Sequence, residues 1–92
     1  MYEDNHPDPY MAMYYMRLKA MRYGTHVDTT QSTNNTITEQ MTDGTTIQLT
    51  LDLESGTWML ARFFHEQGKM IVLYQEHGTY DDDEGESGEY IP

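Results

Sequence analysis

A chain of 92 residues makes one domain, and it can bury only about 60–65% of the surface that its unfolded form exposes. It contains no Cys, which excludes disulfides and thiolate metal sites, and no apolar run long enough to cross a membrane. Its 16 acids and five Lys or Arg residues give a formal charge of −11, which disfavours direct contact with nucleic acid because phosphates bind to basic surfaces. The N-terminus is acidic, unlike a signal peptide, so we expect a soluble protein of the cytoplasm.

The first predicted element is a helix over residues 9–23. Asp8 is a good N-cap residue, Pro9 suits the first helical position, and Gly24 suits the position just past the end. Between them, apolar residues recur at helical spacing, whereas the three bases of the segment fall largely elsewhere. We expect an amphipathic helix whose sheet-facing stripe is formed by Met11, Tyr14 or Tyr15, Leu18 and Met21.

After Gly24 the apolar pattern changes to the two-residue period of strands. Residues 45–53 alternate apolar and polar side chains, which is typical of a strand with one solvated face. Turn signals at Asp43-Gly44, Ser55-Gly56 and Gln67-Gly68 separate this strand from its neighbours. The pattern predicts an antiparallel meander of four strands within residues 36–42, 45–53, 57–66 and 69–77, and a fifth strand at one edge from the Thr-rich residues 25–33.

These elements predict an α+β fold in which one N-terminal amphipathic helix packs on a four- or five-stranded antiparallel meander sheet. We expect residues 1–78 to form a single domain, with its strands within residues 25–77. The remaining residues, 79–92, are rich in acids and Gly and have little to bury, so we predict a flexible, mobile acidic tail, with residues 81–89 mobile in the free protein.

The last two predicted strands carry apolar side chains on both faces, and such strands need cover on both sides. One helix covers one face, so the other face must meet the tail, the N-terminal segment or a second chain. This predicts a protein partner or a homodimer. Trp58 and Phe63 should lie on opposite faces, with only one of them in the core beneath the helix. The residues concerned are Trp58, Met59, Leu60, Phe63, Ile71, Val72, Leu73 and Tyr74.

Catalytic and metal-binding signatures are missing from the sequence. The four His residues do not have the spacing of a zinc site, and the acidic run at residues 81–86 lacks the twelve-residue loop of a calcium site. No Ser has a His beside it in sequence, and the glycines are spaced between elements rather than grouped in a phosphate loop. We therefore expect a protein that is not an enzyme and that uses no cofactor and no metal.

The acids are the most prominent chemical feature, since residues 78–92 hold six carboxylates and no base. A negative surface can imitate a phosphate backbone and occupy the basic groove of a protein that handles DNA or RNA. We therefore predict a non-enzymatic acidic inhibitor, a nucleic-acid mimic that binds a basic nuclease or effector complex. Its expected contact residues are Glu39, Asp43, Asp52, Glu54, Asp81, Asp82, Asp83, Glu84, Glu86 and Glu89.

In size and charge the chain is similar to virus-encoded inhibitors that block restriction or CRISPR nucleases, a class with no common fold. That resemblance implies a viral anti-CRISPR or anti-restriction protein acting in the cytoplasm of the host cell. The alternative is a small oligomeric structural or regulatory module that binds other proteins through its apolar sheet face. Its acids would then serve only solubility or adaptation to high salt. The basic cluster Arg17, Lys19 and Arg22, which a mimic does not need, would face an acidic partner or the tail.

Overall fold

The computed structural model describes residues 8–79 of the chain. One helix, α1, packs on a five-stranded antiparallel sheet whose strand order is β1-β2-β3-β4-β5, a simple meander. The predicted α+β class and the fifth strand at one edge are confirmed. The predicted tail begins at residue 79, but Thr79 is the last residue of β5, and residues 80–92 lie outside the described residues. The elements are α1 Pro9–Met21, β1 Val27–Ser32, β2 Thr36–Met41, β3 Thr46–Asp52, β4 Thr57–Glu66 and β5 Lys69–Thr79.

Helix α1 begins at the residues that the sequence indicates. The Asp8 side chain accepts a hydrogen bond of 2.9 Å from the backbone N–H of Tyr10, and Pro9 is the first helical residue. The helix ends at Met21, two residues earlier than predicted, because the chain already turns towards Gly24, whose φ is +90°.

The face of α1 that packs on the sheet differs from the predicted one. The buried residues are Pro9, Met13, Met16 and Ala20, whereas Tyr14, Tyr15, Leu18 and Met21 are exposed and Met11 is half-buried. The predicted stripe is therefore wrong. The prediction fails because Met and Tyr occur all round this helix, so the spacing of apolar residues does not show which face packs on the sheet.

The core lies between α1 and the middle of the sheet, where the helix packs on β3 and β4. Strand β3 contributes Ile47, Leu49 and Leu51, which confirms its predicted alternation. Strand β4 contributes Trp58 and Leu60, which pair with Leu51 and Leu49. Burial of these side chains is the main source of stability in so small a domain.

Strands β4 and β5 form a long hairpin with a two-residue loop. Gln67 and Gly68 have φ of +55° and +79°, and two positive φ values are what a type I′ turn requires. Within the hairpin, Tyr74 pairs with Arg62 and Val72 pairs with Phe63, so Leu73 is an extra residue. This β-bulge makes Val72 and Leu73 together oppose Phe63.

The two large aromatic residues of β4 lie on opposite faces, as the alternation predicts. Trp58 pairs with Leu51 beneath the helix, whereas Phe63 lies an odd number of residues further along and faces away from it. Phe63 is nevertheless only 6% exposed. The prediction that only one of the two lies in the core beneath the helix is confirmed, because only Trp58 belongs to that core, but Phe63 is also covered, on the other face. On the face away from the helix, Phe63 pairs with Thr46 and Val72. Its ring contacts the His65 ring edge-to-face, with the two ring centres 5.6 Å apart.

Candidate functional site

The predicted sheet carboxylate Glu39 is buried and is not available to a partner. It lies on β2, where its two oxygens accept hydrogen bonds of 3.1 and 2.7 Å from the Nε and Nη2 atoms of Arg17 on α1. Glu39 as a whole is only 4% exposed to solvent. This bidentate pair joins the helix to β2, so it explains one base of the cluster at residues 17–22 as well as one of the acids.

Asp43 is also engaged within the fold, in the turn between β2 and β3. It accepts hydrogen bonds from the backbone N–H and the hydroxyl of Thr45, and Arg62 Nη2 lies 2.7 Å from its Oδ2. Partial burial raises the pKa of Asp43, but the Thr45 hydrogen bonds and the Arg62 charge together outweigh it, so the pKa is lowered. The carboxylate therefore fixes this turn against β4.

Asp52 and Glu54 lie at the opposite end of β3 from Asp43. Asp52 accepts hydrogen bonds from the backbone N–H groups of Ser55 and Glu54, and these bonds lower its pKa. Glu54 is exposed in the same turn. The seven residues of β3 put about 20 Å between the two ends of the strand, so the four predicted carboxylates do not form one surface.

The remaining predicted contact residues, from Asp81 to Glu89, lie outside the described residues. Residues 8–79 contain eight of the 16 acids and all five bases, a balance of −3 out of the total of −11. The described domain is therefore close to neutral for its size. Most of the negative charge belongs to residues 1–7 and 80–92.

The described residues also bear on metal binding. Within residues 8–79, no three His, Asp or Glu side chains come together in a way that could hold a metal ion. His65 pairs with Met70 and His77 pairs with Met59, so these two His residues are separated by most of the length of the β4–β5 hairpin.

The longest run of exposed apolar residues within the described sheet is on β5, the last strand. Five consecutive residues, Met70, Ile71, Val72, Leu73 and Tyr74, are between 38% and 55% exposed, and we call them the β5 edge surface. Within residues 8–79 no strand pairs with the outer side of β5, so its outward backbone groups are available to another strand.

Two polar contacts border the β5 edge surface on the side that the helix occupies. The Tyr74 hydroxyl donates a hydrogen bond of 3.1 Å to Glu76, and this bond, together with the charge of Glu76, raises the pKa of Tyr74. Lys19 Nζ lies 5.9 Å from the centre of the Tyr74 ring. A second base of the cluster thus lies beside β5.

The outward face of α1 forms a second apolar surface. It is formed by Tyr14, Tyr15, Leu18 and Met21, which the apolar spacing predicts to face the sheet but which are between 38% and 52% exposed. The sequence contained the signal for both surfaces. A run of five apolar residues in the last strand of a meander lies on an edge, and a helix that is apolar all round cannot bury both faces against one sheet.

No protein-family model matches the chain, no curated protein is similar to it in sequence, and no solved structure is similar to it in fold. Within the described residues, the single helix is too short and too polar to span a bilayer.

Proposed function

We propose that the protein is a non-enzymatic protein-interaction module of the cytoplasm that binds its partner along the free edge of β5. The observation that carries this proposal is the β5 edge surface, five consecutive apolar residues that are each at least 38% exposed on an edge strand. The outward N–H and C=O groups of such a strand are a template for one more strand, and its alternate side chains provide specificity.

The state of the carboxylates supports a contact of this kind over charge mimicry by the sheet. Glu39 and Asp43 are paired with Arg17 and Arg62, and Asp52 holds a turn. A mimic needs free carboxylates at fixed spacing on one face. In the proposed function the acids keep a protein with a large exposed apolar surface in solution.

Two edge variants test the proposal. Val72→Lys introduces a charge into the β5 edge surface, whereas Thr30→Lys introduces the same charge into β1, the opposite edge of the sheet. Both positions are exposed, so both variants should fold. Affinity capture from cytoplasmic extract, followed by mass spectrometry, should recover the same specific proteins with the wild type and Thr30→Lys but not with Val72→Lys. Equal recovery by all three proteins would contradict the proposal.

A second candidate function rests on the charge beyond the described residues, where residues 81–89 contain six carboxylates and no base. In this candidate the protein is an acidic inhibitor of a DNA- or RNA-handling protein, such as a virus-encoded anti-CRISPR or anti-restriction protein in the host cytoplasm. Such a contact weakens steeply with salt, whereas an apolar contact is almost indifferent to salt or tightens.

Neutralising the terminal acids tests this second candidate. The variant replaces Asp81, Asp82, Asp83, Glu84, Glu86 and Glu89 with Asn or Gln. Mimicry predicts slower association with a captured partner and a flatter salt dependence, because complementary charge acts chiefly on the rate of encounter. An unchanged association rate and an unchanged salt slope would leave these acids a role in solubility only.

A further inference from the structure

We infer that the strand accepted by β5 is β5 of a second copy of this chain, paired antiparallel about a two-fold axis that passes between Val72 and Leu73. This inference rests on the proposed function, because it names the partner of the same edge. In this arrangement Lys69 lies opposite Glu76 of the partner subunit, and the symmetry repeats the pair.

The pairing of β5 with β4 shows which side chains of β5 share a face. Directly paired residues of an antiparallel ladder point to the same side of the sheet, and residues two apart on β4 also share a side. The β5 residues opposite Glu66, Phe64, Arg62 and Leu60 therefore lie on one face, the face that α1 covers at Leu60. These β5 residues are Lys69, Ile71, Tyr74 and Glu76.

The bulge at Leu73 determines the register of the inferred dimer. In a regular strand, residues that share a face are an even number of positions apart. The extra residue changes this, so that Lys69 and Glu76 share a face although seven positions separate them, and so do Ile71 and Tyr74 at three positions. Antiparallel pairing brings together residues of the same face, so the bulge permits the Lys69–Glu76 register, which a strand without a bulge would forbid.

The side chains that meet in this register are complementary. Each end of the paired strands joins a Lys to a Glu, and Lys69 forms no ion pair within residues 8–79. Glu76 accepts one hydrogen bond from Tyr74, and a carboxylate has a second oxygen for the ammonium group. Between the charges, Ile71 lies opposite the partner's Tyr74, an aromatic and β-branched pair of the kind that stabilises antiparallel sheets. Val72 lies opposite the partner's Leu73.

The two-fold axis also gives the outer side of β5 a neighbouring strand, which it does not have within residues 8–79. An axis perpendicular to the sheet keeps both helices on the same face of a continuous ten-stranded sheet, with the two β5 strands between them. Ile71 and Tyr74 of both copies then line the space between the helices, where Lys19 already lies over Tyr74. An unrelated apolar peptide could pair with the apolar residues of β5. A second β5 strand in addition places a Glu opposite Lys69 and a Lys opposite Glu76.

Charge reversal tests the register. Lys69→Glu places Glu opposite Glu at both ends of the inferred pair, and Glu76→Lys places Lys opposite Lys, so each variant alone should dimerise at least about tenfold more weakly than the wild type. An equimolar mixture of the two restores both attractive pairs, and the double variant Lys69→Glu/Glu76→Lys restores them in one chain. Analytical ultracentrifugation should show a heterodimer in the mixture with about wild-type affinity.

Cysteine pairing gives a second, geometric test, because the chain has no Cys of its own. The Cβ atoms of directly opposite residues lie about 5 Å apart, within reach of a disulfide. The two copies of residue 71 are offset from each other by three positions along the strands, as are the two copies of residue 74, and this separation is too large for a disulfide. A mixture of Ile71→Cys and Tyr74→Cys should therefore form a mixed disulfide under mild oxidation at least about tenfold faster than either variant forms its own.

The outcomes separate this inference from the proposed function. A wild type that stays monomeric at about millimolar concentration overturns the second copy as partner, while the comparison of Val72→Lys with Thr30→Lys still tests the edge. A dimer that Val72→Lys disrupts, but that shows no complementation in the charge-reversal mixture and no preference in the disulfide experiment, overturns the register and supports the edge. A dimer unaffected by Val72→Lys overturns the second copy as the partner of β5, and the capture comparison of Val72→Lys with Thr30→Lys still decides the proposed function.

Discussion

The two edges of the sheet are built in opposite ways. Strand β1 has six residues, is polar from Asp28 onward, and has a bulge beside its first residue. Strand β5 has eleven residues, of which Met70–Tyr74 are apolar and exposed. Short, polar and bulged strands are the devices by which sheets avoid joining one another. Within residues 8–79, the β1 edge is therefore protected against pairing, whereas the β5 edge, despite its bulge, is apolar and unpaired.

The edges also differ in what attaches them to the domain. The start of β1 is held by a polar network in which the Thr25 hydroxyl accepts a hydrogen bond from the backbone N–H of Asp43 and contacts the Thr42 hydroxyl. The end of β5 is held by an apolar contact, because the indole of Trp58 lies directly over Gly78. Perturbations of Trp58 and of the polar network should therefore affect the two edges separately.

The largest expected effect is on the apolar attachment. Trp58→Ala should lower the free energy of unfolding by about 3–5 kcal/mol, because it empties a large buried site beneath the helix. Trp58→Phe is the matched variant: the indole N–H is buried with no hydrogen-bond partner in the described part of the chain, so its removal should recover most of that loss. Urea denaturation measures both.

Phe63→Ala sharpens the same comparison, since Phe63 is buried on the other face of β4. It should cost about 3 kcal/mol of unfolding free energy and should not act through association alone. Tyr23→Ala, at a site that is 88% exposed, is the control and should change stability by less than about 0.5 kcal/mol. A loss below about 1 kcal/mol for either buried aromatic residue would contradict the assignment of the core.

The next effect concerns the ion pair that joins α1 to β2. Arg17→Ala should destabilise the fold by about 2–3 kcal/mol, because it leaves the Glu39 carboxylate buried and unpaired. The double variant Arg17→Met/Glu39→Leu should recover most of that stability. A double-mutant cycle in urea measures the coupling, and additive single effects would show that the pair contributes little.

A smaller and more local effect is expected from Gly78→Ala. A Cβ at this position would lie 2.9 Å from the Trp58 ring, so the strand or the indole must move, at a cost of about 1–2 kcal/mol. Hydrogen exchange should show faster opening at the end of β5 and unchanged protection in β1, with Thr79→Ala as the control. Equal changes in both edges would mean that the attachments are not independent.

The smallest effect is that of pH on the polar attachment. The lowered pKa of Asp43 means that its carboxylate form stabilises the fold above the pKa of the unfolded chain, and that this contribution is lost as the pH falls below about 4. Asp43→Asn should therefore be less stable than the wild type at neutral pH and should lose less stability on acidification. Parallel stability curves for the two proteins from about pH 6 to about pH 3 would contradict this role.

Much of the fold was predictable because its signals are local. Asp8 and Pro9 indicate where α1 begins, the alternation of β3 indicates its buried face, and Gly44, Gly56 and Gly68 have the positive φ of turn residues. The candidate surface was predicted in part, since the apolar residues on both faces of β4 and β5 indicated a need for further cover.

The identity of the paired carboxylates was not predictable in the same way. Glu39 and Arg17 are 22 residues apart in the chain and meet only because α1 packs on the sheet where the Arg17 side chain reaches β2. Nothing near Glu39 in the sequence separates it from an exposed acid such as Glu54. The sequence therefore predicts one surface of sheet carboxylates. In the fold, Glu39 belongs to a buried ion pair, and the other carboxylates lie in two separate turns.

The order of the elements, the meander and the total charge follow from the sequence, because hydrophobic period, capping and turn chemistry act over a few neighbouring residues. The buried face of α1 and the cover over Phe63, on the face away from the helix, depend instead on packing between distant segments. The bulge at Leu73 likewise arises from the register between two strands, and contacts between distant segments depend on how whole elements fit together. Within residues 8–79, that fit leaves Met70–Tyr74 exposed on the edge strand β5, whereas the opposite edge is the polar strand β1.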